Sequence, residues 1–240
     1  MPIADLAAAQ SVCVNDGPNK NTGATMFGIQ GRGFGIAIAA MLLGMSASTA
    51  NASGRTLYAS LGEATRAPIG YVEFCAETPA DCAGAATEPR DIVLTKTAWK
   101  DLVRVNDWVN ATIKPMTDQD HWGVVEKWSY PTDGYGDCED YVLLKRKMLL
   151  DAGWPREALL ITVVRDKQGD GHAVLTVRTN KGEFVLDNQN EQVLPWTETG
   201  YRFVKRQSQS DPNAWVSLGV NHPAVATATA FLTELIRYAK

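Results

Sequence analysis

The sequence predicts an α+β domain in which helices come first, a run of antiparallel strands follows, and the helices pack on one face of the sheet. Three observations lead there. Apolar residues recur at helical spacing over residues 97–113 and again from Tyr141 to Leu149. From Leu159 onward the chain changes to β-branched and alternating apolar residues. Turn clusters at Asp166 to Gly171 and at Thr179-Asn180-Lys181-Gly182 then fold successive strands back on one another.

Taken in order, residues 1–52 read as a presequence. Arg32 precedes the apolar run Phe34 to Met45, and Ser46 to Ala52 are small or polar, ending Ala50-Asn51-Ala52. A positive stretch, a short apolar stretch and a small-x-small site make a secretory signal, cleaved after Ala52. The apolar run falls short of the ~20 residues a membrane span needs, although an uncleaved N-terminal anchor is the alternative. Residues 1–25 are polar and lie upstream of Met26; either the positive stretch is unusually long or, the favoured reading, translation starts at Met26. Export would place the protein in the periplasm or outside the cell.

Residues 53–90 mix Gly, Pro, Ala and Thr with little periodicity and read as an irregular wrap, with one short strand near Tyr71 to Phe74. Within it Cys75 and Cys82 form a close pair that should bridge in an oxidising compartment. A zinc site on the same pair would lack ligands, since no nearby Cys or His completes a set of four. Ala98, Leu102, Val105, Val109 and Ile113 then mark an amphipathic helix, with Thr97 as N-cap and Pro115 as stop. Residues 114–136 read as a long loop carrying Asp118, Asp120, Trp122, Trp128 and Tyr130. Its aromatics argue against disorder, and leave open whether they line a groove or fill the core. The second helix ends at Gly153 and Pro155, strands follow at 159–164, 173–177, 183–187 and near Phe203, and residues 217–240 form a tail with weak helical character over 220–240.

A length of 240 residues with 45% hydrophobic content suffices for a substantial core in one large domain or two small ones. A net charge of −4, with no basic run, argues against nucleic acid as the partner.

Chemistry concentrates at Gly134-Tyr135-Gly136-Asp137-Cys138-Glu139-Asp140-Tyr141. Asp137 is a natural N-cap, which makes Cys138 the first helical residue. Free backbone N–H groups and the helix dipole there favour an anion, and so a reactive thiolate. Cys13 leaves with the presequence and Cys75 pairs with Cys82, so Cys138 is left over, either an intermolecular linker or a free reactive thiol, and its place at the helix start favours the thiol. If Arg178 faces Glu183 across the hairpin turn, Val174 faces Asp187. His172 then shares its face with Val174 and sits about 7–8 Å from Asp187 at the backbone, within side-chain reach. If the start of the Cys138 helix points at that face, Cys138, His172 and Asp187 take the roles of nucleophile, base and orienting acid. Asp187 has the alternative of starting an Asp-Asn turn, and His172 that of a strand histidine without chemistry.

The segments Gly136-Asp137-Cys138-Glu139-Asp140-Tyr141, Gly171-His172-Ala173-Val174-Leu175 and Val185-Leu186-Asp187-Asn188 resemble the three motifs of the bacterial transglutaminase-like cysteine peptidases. The best-known members are LapG-type periplasmic proteases that release surface adhesins. The resemblance spans roughly residues 67–216 and includes Ala67-Pro68-Ile69-Gly70 and Tyr201 to Gln207. It implies a papain-like fold of the transglutaminase type with its peptidase core in residues 91–216, the triad Cys138, His172 and Asp187, and a calcium site on Asp137, Glu139 and Asp140. It implies a protein substrate, an adhesin in the best-known members, and an inner-membrane regulatory receptor as further partner, for a protein expected to be monomeric. Physical chemistry bears on the calcium. Three carboxylates beside a thiolate raise its pKa by repulsion, and a hard divalent cation would neutralise them. The alternative is that the acids only cap the helix and complement its dipole. An acyltransferase using the same triad, with an amine resolving the acyl-enzyme, and a non-catalytic binding module on the same fold are the competing functions.

Overall fold

β-branched and apolar residues between Leu159 and Leu186 build the centre of the molecule. A computed structural model describes residues 57–219 and Cys13. In chain order its elements are β1 (Leu61–Thr65), α1 (Ile69–Glu77), α2 (Pro79–Cys82), α3 (Lys96–Thr112), β2 (Lys114–Pro115), α4 (Asp118–His121), β3 (Tyr135–Gly136) and α5 (Cys138–Asp151). They continue with β4 (Leu159–Arg165), β5 (Gly171–Thr179), β6 (Gly182–Leu186), β7 (Leu194–Pro195), β8 (Arg202–Gln207) and β9 (Trp215–Leu218). Seven strands form one sheet in the order β1-β9-β8-β4-β5-β6-β7, every neighbouring pair antiparallel.

The helix α5 lies on β5, and α3 packs against α5. Ala173, Leu175 and Val177 of β5 join Ile161 and Val163 of β4 and Leu102, Val105 and Val109 of α3 in the main core. On the sheet's other face Val164, Val174 and Val185 pack with Trp196, Tyr201 and Phe203. The alternation of β5 between these two clusters is the period-two rule at work, and it explains why the central strands read as unbroken apolar runs. The hairpin register is Arg178 opposite Glu183, the pairing on which the expected nearness of His172 and Asp187 rested.

Several elements differ from the sequence expectations. The segment Tyr71 to Phe74 is helical, within α1. Tyr71 and Phe74 lie on one face of that helix, and the Tyr71 ring meets Trp128 at 5.7 Å and Trp215 at 5.4 Å, edge on. That aromatic burial outweighs the β-propensity of an isolated tyrosine and valine. Helix α3 begins at Lys96, capped by Thr95, whose side chain accepts from the Ala98 N–H, and not by Thr97. The long segment 114–136 holds the parallel pair β2–β3 and the short helix α4. Its tryptophans divide: Trp128 is buried and donates to Glu126, whereas Trp122 is exposed and stacks on His121. The expected bridge Cys75–Cys82 joins α1 to α2. The secretory signal and the helical tail over 220–240 lie outside the described residues. No helix among the described residues is long and apolar enough to cross a membrane.

Candidate active site

The approach to α5 is shaped by Gly136. A Cβ there would stand 2.7 Å from Asp140 Cβ and 2.6 Å from its Oδ2, so only glycine lets the chain pass so close to the first helical turn. Asp137 occupies the N-cap position, with Cys138 first in the helix, as expected. The Asp137 carboxylate, however, makes no capping bond to α5; its Oδ2 accepts from the Asp118 backbone N–H at 3.2 Å. The carboxylate is drawn away because α4 presents a free N–H of its own opposite it.

Cys138 is fully buried, and its Sγ accepts from the Ala173 N–H at 3.1 Å. The sulfur therefore sits against the start of β5, beside the residue that follows His172. One expectation is overturned here. Cys138 is not a free thiol but is joined to Cys13 in a disulfide, and all four cysteines are bridged. The pairing spans 125 residues of chain, and no local pattern announces a contact of that range.

His172 Nε2 lies 2.8 Å from Asp187 Oδ1, and both side chains are buried. The Tyr201 hydroxyl donates to Asp187 Oδ2 at 2.6 Å, and the Gln189 N–H donates to Oδ1 at 3.0 Å. Burial alone would raise the Asp187 carboxyl, but the bonds from His172, Tyr201 and Gln189 hold it below the usual carboxylate range. The Tyr201 ring stands edge-on to the imidazole at 5.6 Å. Two asparagines of α3 fix the Asp187 backbone: Asn106 Oδ1 accepts its N–H at 3.1 Å and Asn110 Nδ2 donates to its carbonyl at 2.8 Å.

Beside the sulfur lies a buried acidic cluster. Asp118, Asp137 and Asp140 each bring one carboxylate oxygen within 4.8 Å of the others. Glu139 is also buried, but its Oε2 faces the bridge, 3.5 Å from Cys138 Sγ and in contact with Cys13 Sγ. Backbone N–H groups of Lys127 and Ser129 donate to Asp118 and Asp140. Among the described residues no donor reaches Asp140 Oδ2 or Glu139 Oε1. Burial, then the charge of Asp137, pushes the Asp140 carboxyl up to about 9. Burial, then Asp137, Asp140 and Glu126, raises Glu139 well above the usual range. Carboxylates crowded together with two oxygens lacking donors fit a hard cation, and calcium takes such oxygens.

A family model described as bacterial transglutaminase-like cysteine proteinase matches residues 61–223. The chain belongs to this family. No curated protein matches it. Three solved structures of LapG from Legionella pneumophila, one of them calcium-bound and one EGTA-treated, are similar at 22% identity and a TM-score of 0.43. The match covers 57% of this chain and between 77% and 79% of theirs. At so low a TM-score the likeness adds nothing to the assignment, which stands on the family model.

As a bacterial transglutaminase-like cysteine proteinase, the chain is a cysteine peptidase with α5 laid on an antiparallel sheet. The structure brings His172 and Asp187 into hydrogen-bond contact and sets Cys138 against the adjoining backbone. Of the expected metal residues it groups Asp137 and Asp140, with Asp118 as the third member where Glu139 was expected. Asp118 stood out in the sequence only as one acid of a loop. Asn106 and Asn110 are four apart on the helix that the periodicity predicts, yet nothing in the pattern marks such a pair as reaching a strand. Tyr201 lies within a segment that carries the family resemblance, but its hydroxyl contact is visible only in the fold.

Proposed function

We propose that this cysteine peptidase is an exported endopeptidase acting through Cys138, His172 and Asp187. The observation that carries the reading is the buried His172–Asp187 hydrogen bond of 2.8 Å, with the Cys138 sulfur 3.1 Å from the next backbone N–H of the same strand. With Asp187 accepting from Nε2–H, Nδ1, which the Gln189 amide nitrogen approaches at 3.5 Å, is the ring nitrogen that would take the thiol proton. The Cys138 thiolate attacks the scissile carbonyl, its own backbone N–H meets the oxyanion, and His172 returns the proton to the leaving amine. Water then resolves the acyl-enzyme. The bond to Cys13 holds the sulfur in a form that cannot attack, so activity requires its release.

Asp118, Asp137 and Asp140 would hold a calcium ion, with Glu139 beside them. Bound there, the cation would offset the carboxylate charge that otherwise opposes a thiolate at Cys138. Millimolar calcium is expected to raise the melting temperature of the protein and EGTA to lower it, with Asp140→Asn losing most of the gain. Equal melting curves with and without calcium would remove the metal from this reading.

The catalytic test uses the reduced protein. Cys138 should react with iodoacetamide near neutral pH at least tenfold faster than free cysteine, and His172→Ala should abolish the difference. A rate no faster than that of free cysteine would leave only a binding module. A comparison of the surface proteome of Cys138→Ala and wild-type strains would then identify the protein substrate. Incorporation of a labelled amine without cleavage would point to acyl transfer instead.

A further inference from the structure

Away from the triad and the acidic cluster, a cavity of about 180 Å³ opens between α5, β4 and the end of β8, bordered by Arg146, Arg156, Glu157 and Gln207. Arg146 comes from the third turn of α5 and is only 5% exposed. Its Nε donates to the Leu159 carbonyl at 3.1 Å, and Arg156 donates through one terminal nitrogen to the Asp81 carbonyl at 2.7 Å. Among the described residues no carboxylate comes within ion-pair distance of either guanidinium. A nearly buried arginine is ordinarily paired, because an uncompensated charge out of water is costly. Here the neighbouring charge includes a second arginine. Burial, then Arg156, pulls the Arg146 guanidinium down to about 10, with Tyr71, Tyr130 and Asp81 opposing.

The other groups on the cavity wall limit what could fill it. Gln207 is fully engaged: its Oε1 accepts from the Ile161 N–H at 3.1 Å, and its Nε2 donates to the Tyr71 hydroxyl at 2.8 Å and the Pro212 carbonyl at 3.2 Å. Glu157 Oε1 accepts from the Thr87 hydroxyl at 2.9 Å, while its buried Oε2 meets no donor among the described residues. The cavity therefore offers guanidinium donors from two arginines and one carboxylate oxygen that needs a hydrogen. Its volume accommodates an ion of a few heavy atoms.

We infer that this cavity binds a small oxyanion that also carries an O–H or N–H donor, its oxygens on Arg146 and Arg156 and its donor on Glu157. Hydrogen phosphate and a free amino acid share that chemistry; sulfate has the oxygens but no proton near neutral pH. Planar guanidinium groups suit such oxygens, and charge-assisted bonds of this kind are the strong ones. The site lies beyond the peptidase reading and does not depend on it.

The full chain should be titrated at pH 7 with phosphate, glycine and sulfate at matched ionic strength, following the melting temperature and the heat of binding. A saturable rise with phosphate or glycine is expected, the responding arm naming the source, and no saturable rise with sulfate. Arg156→Gln, at a partly exposed residue, should weaken binding about tenfold or more. Glu157→Gln should narrow the preference over sulfate. Three results would overturn the site: no saturable response in any arm, an equal response to sulfate, or a response unchanged in Arg156→Gln. The last two would mark a general salt effect.

Discussion

At the level of single residues, Tyr201 and Lys145 bear on the same acid from different sides. The Tyr201 hydroxyl donates to Asp187 Oδ2 at 2.6 Å and so favours its ionised form. Removing that donor in Tyr201→Phe raises the Asp187 carboxyl, so the acid limb of the Cys138 alkylation profile in the reduced protein should move up by about one pH unit. An unchanged profile would mean that the hydroxyl plays no part in the charge of Asp187. Lys145 is fully buried in α5, and its Nζ has no hydrogen-bond partner among the described residues. Burial lowers its pKa to about 7, with the charges of Asp187 and Asp107 opposing. The unfolded chain, whose lysine keeps its ordinary value, then binds a proton between pH 7 and about 10 that the folded chain does not. Stability contributed by this group is thus fully present above that window and is lost as pH falls through 7. Lys145→Met should gain roughly 1–3 kcal/mol at pH 6 and flatten the rise in melting temperature between pH 7 and 10. A variant less stable than wild type at pH 6 would show that the ammonium is compensated after all.

Among the elements, α3 does more than cover the sheet. Asn106 accepts the Asp187 N–H and donates to the Glu191 carbonyl at 3.0 Å, closing both ends of the segment that carries the acid. Asn106→Ala strands two backbone groups in the interior and is expected to cost about 2–3 kcal/mol in urea denaturation, with slower Cys138 alkylation in the reduced protein. A loss below about 0.5 kcal/mol would mean that water replaces the amide. The same elements mark where the sequence could and could not be read. The strands β4, β5 and β6 and the hairpin register were legible because burial on both faces and a short turn leave few alternatives. The bounds of α5 were legible because Gly136 and Asp137 mark its start and Gly153 its end. The helix α1 was not, since its fixing contacts are with Trp128 and Trp215, distant in the chain. Edge strand β1 is exposed along its whole length and carries no alternating pattern at all. At the site, the contact of His172 with Asp187 was readable from the hairpin register, whereas Asp118, Tyr201 and the two asparagines come from other elements and reach Asp137, Asp140 and Asp187 only through tertiary packing.

Over the whole molecule, the cysteine bridges bear on whether the proposed nucleophile, Cys138, can react. The expected framework had Cys75–Cys82 as the single bridge and Cys138 free, but the fold holds a second bridge from Cys13 to Cys138. Cys13 belongs to the stretch read as a presequence, so one covalent bond links that stretch to Cys138. A sulfur in a disulfide neither ionises nor attacks a carbonyl; it regains both properties when a thiol reduces the bond or when residue 13 no longer bears sulfur. The full chain, purified without reductant, should therefore leave Cys138 unmodified by iodoacetamide, and a mild thiol reductant should unmask it. Cys13→Ser should make Cys138 reactive with no reductant present, while Cys75→Ser should not. Peptide mapping by mass spectrometry reads both outcomes directly, the first as a linked pair of peptides that includes residues 13 and 138. Rapid alkylation of Cys138 in the unreduced full chain would refute the bridge, and Cys138 would then be reactive from the moment the domain folds.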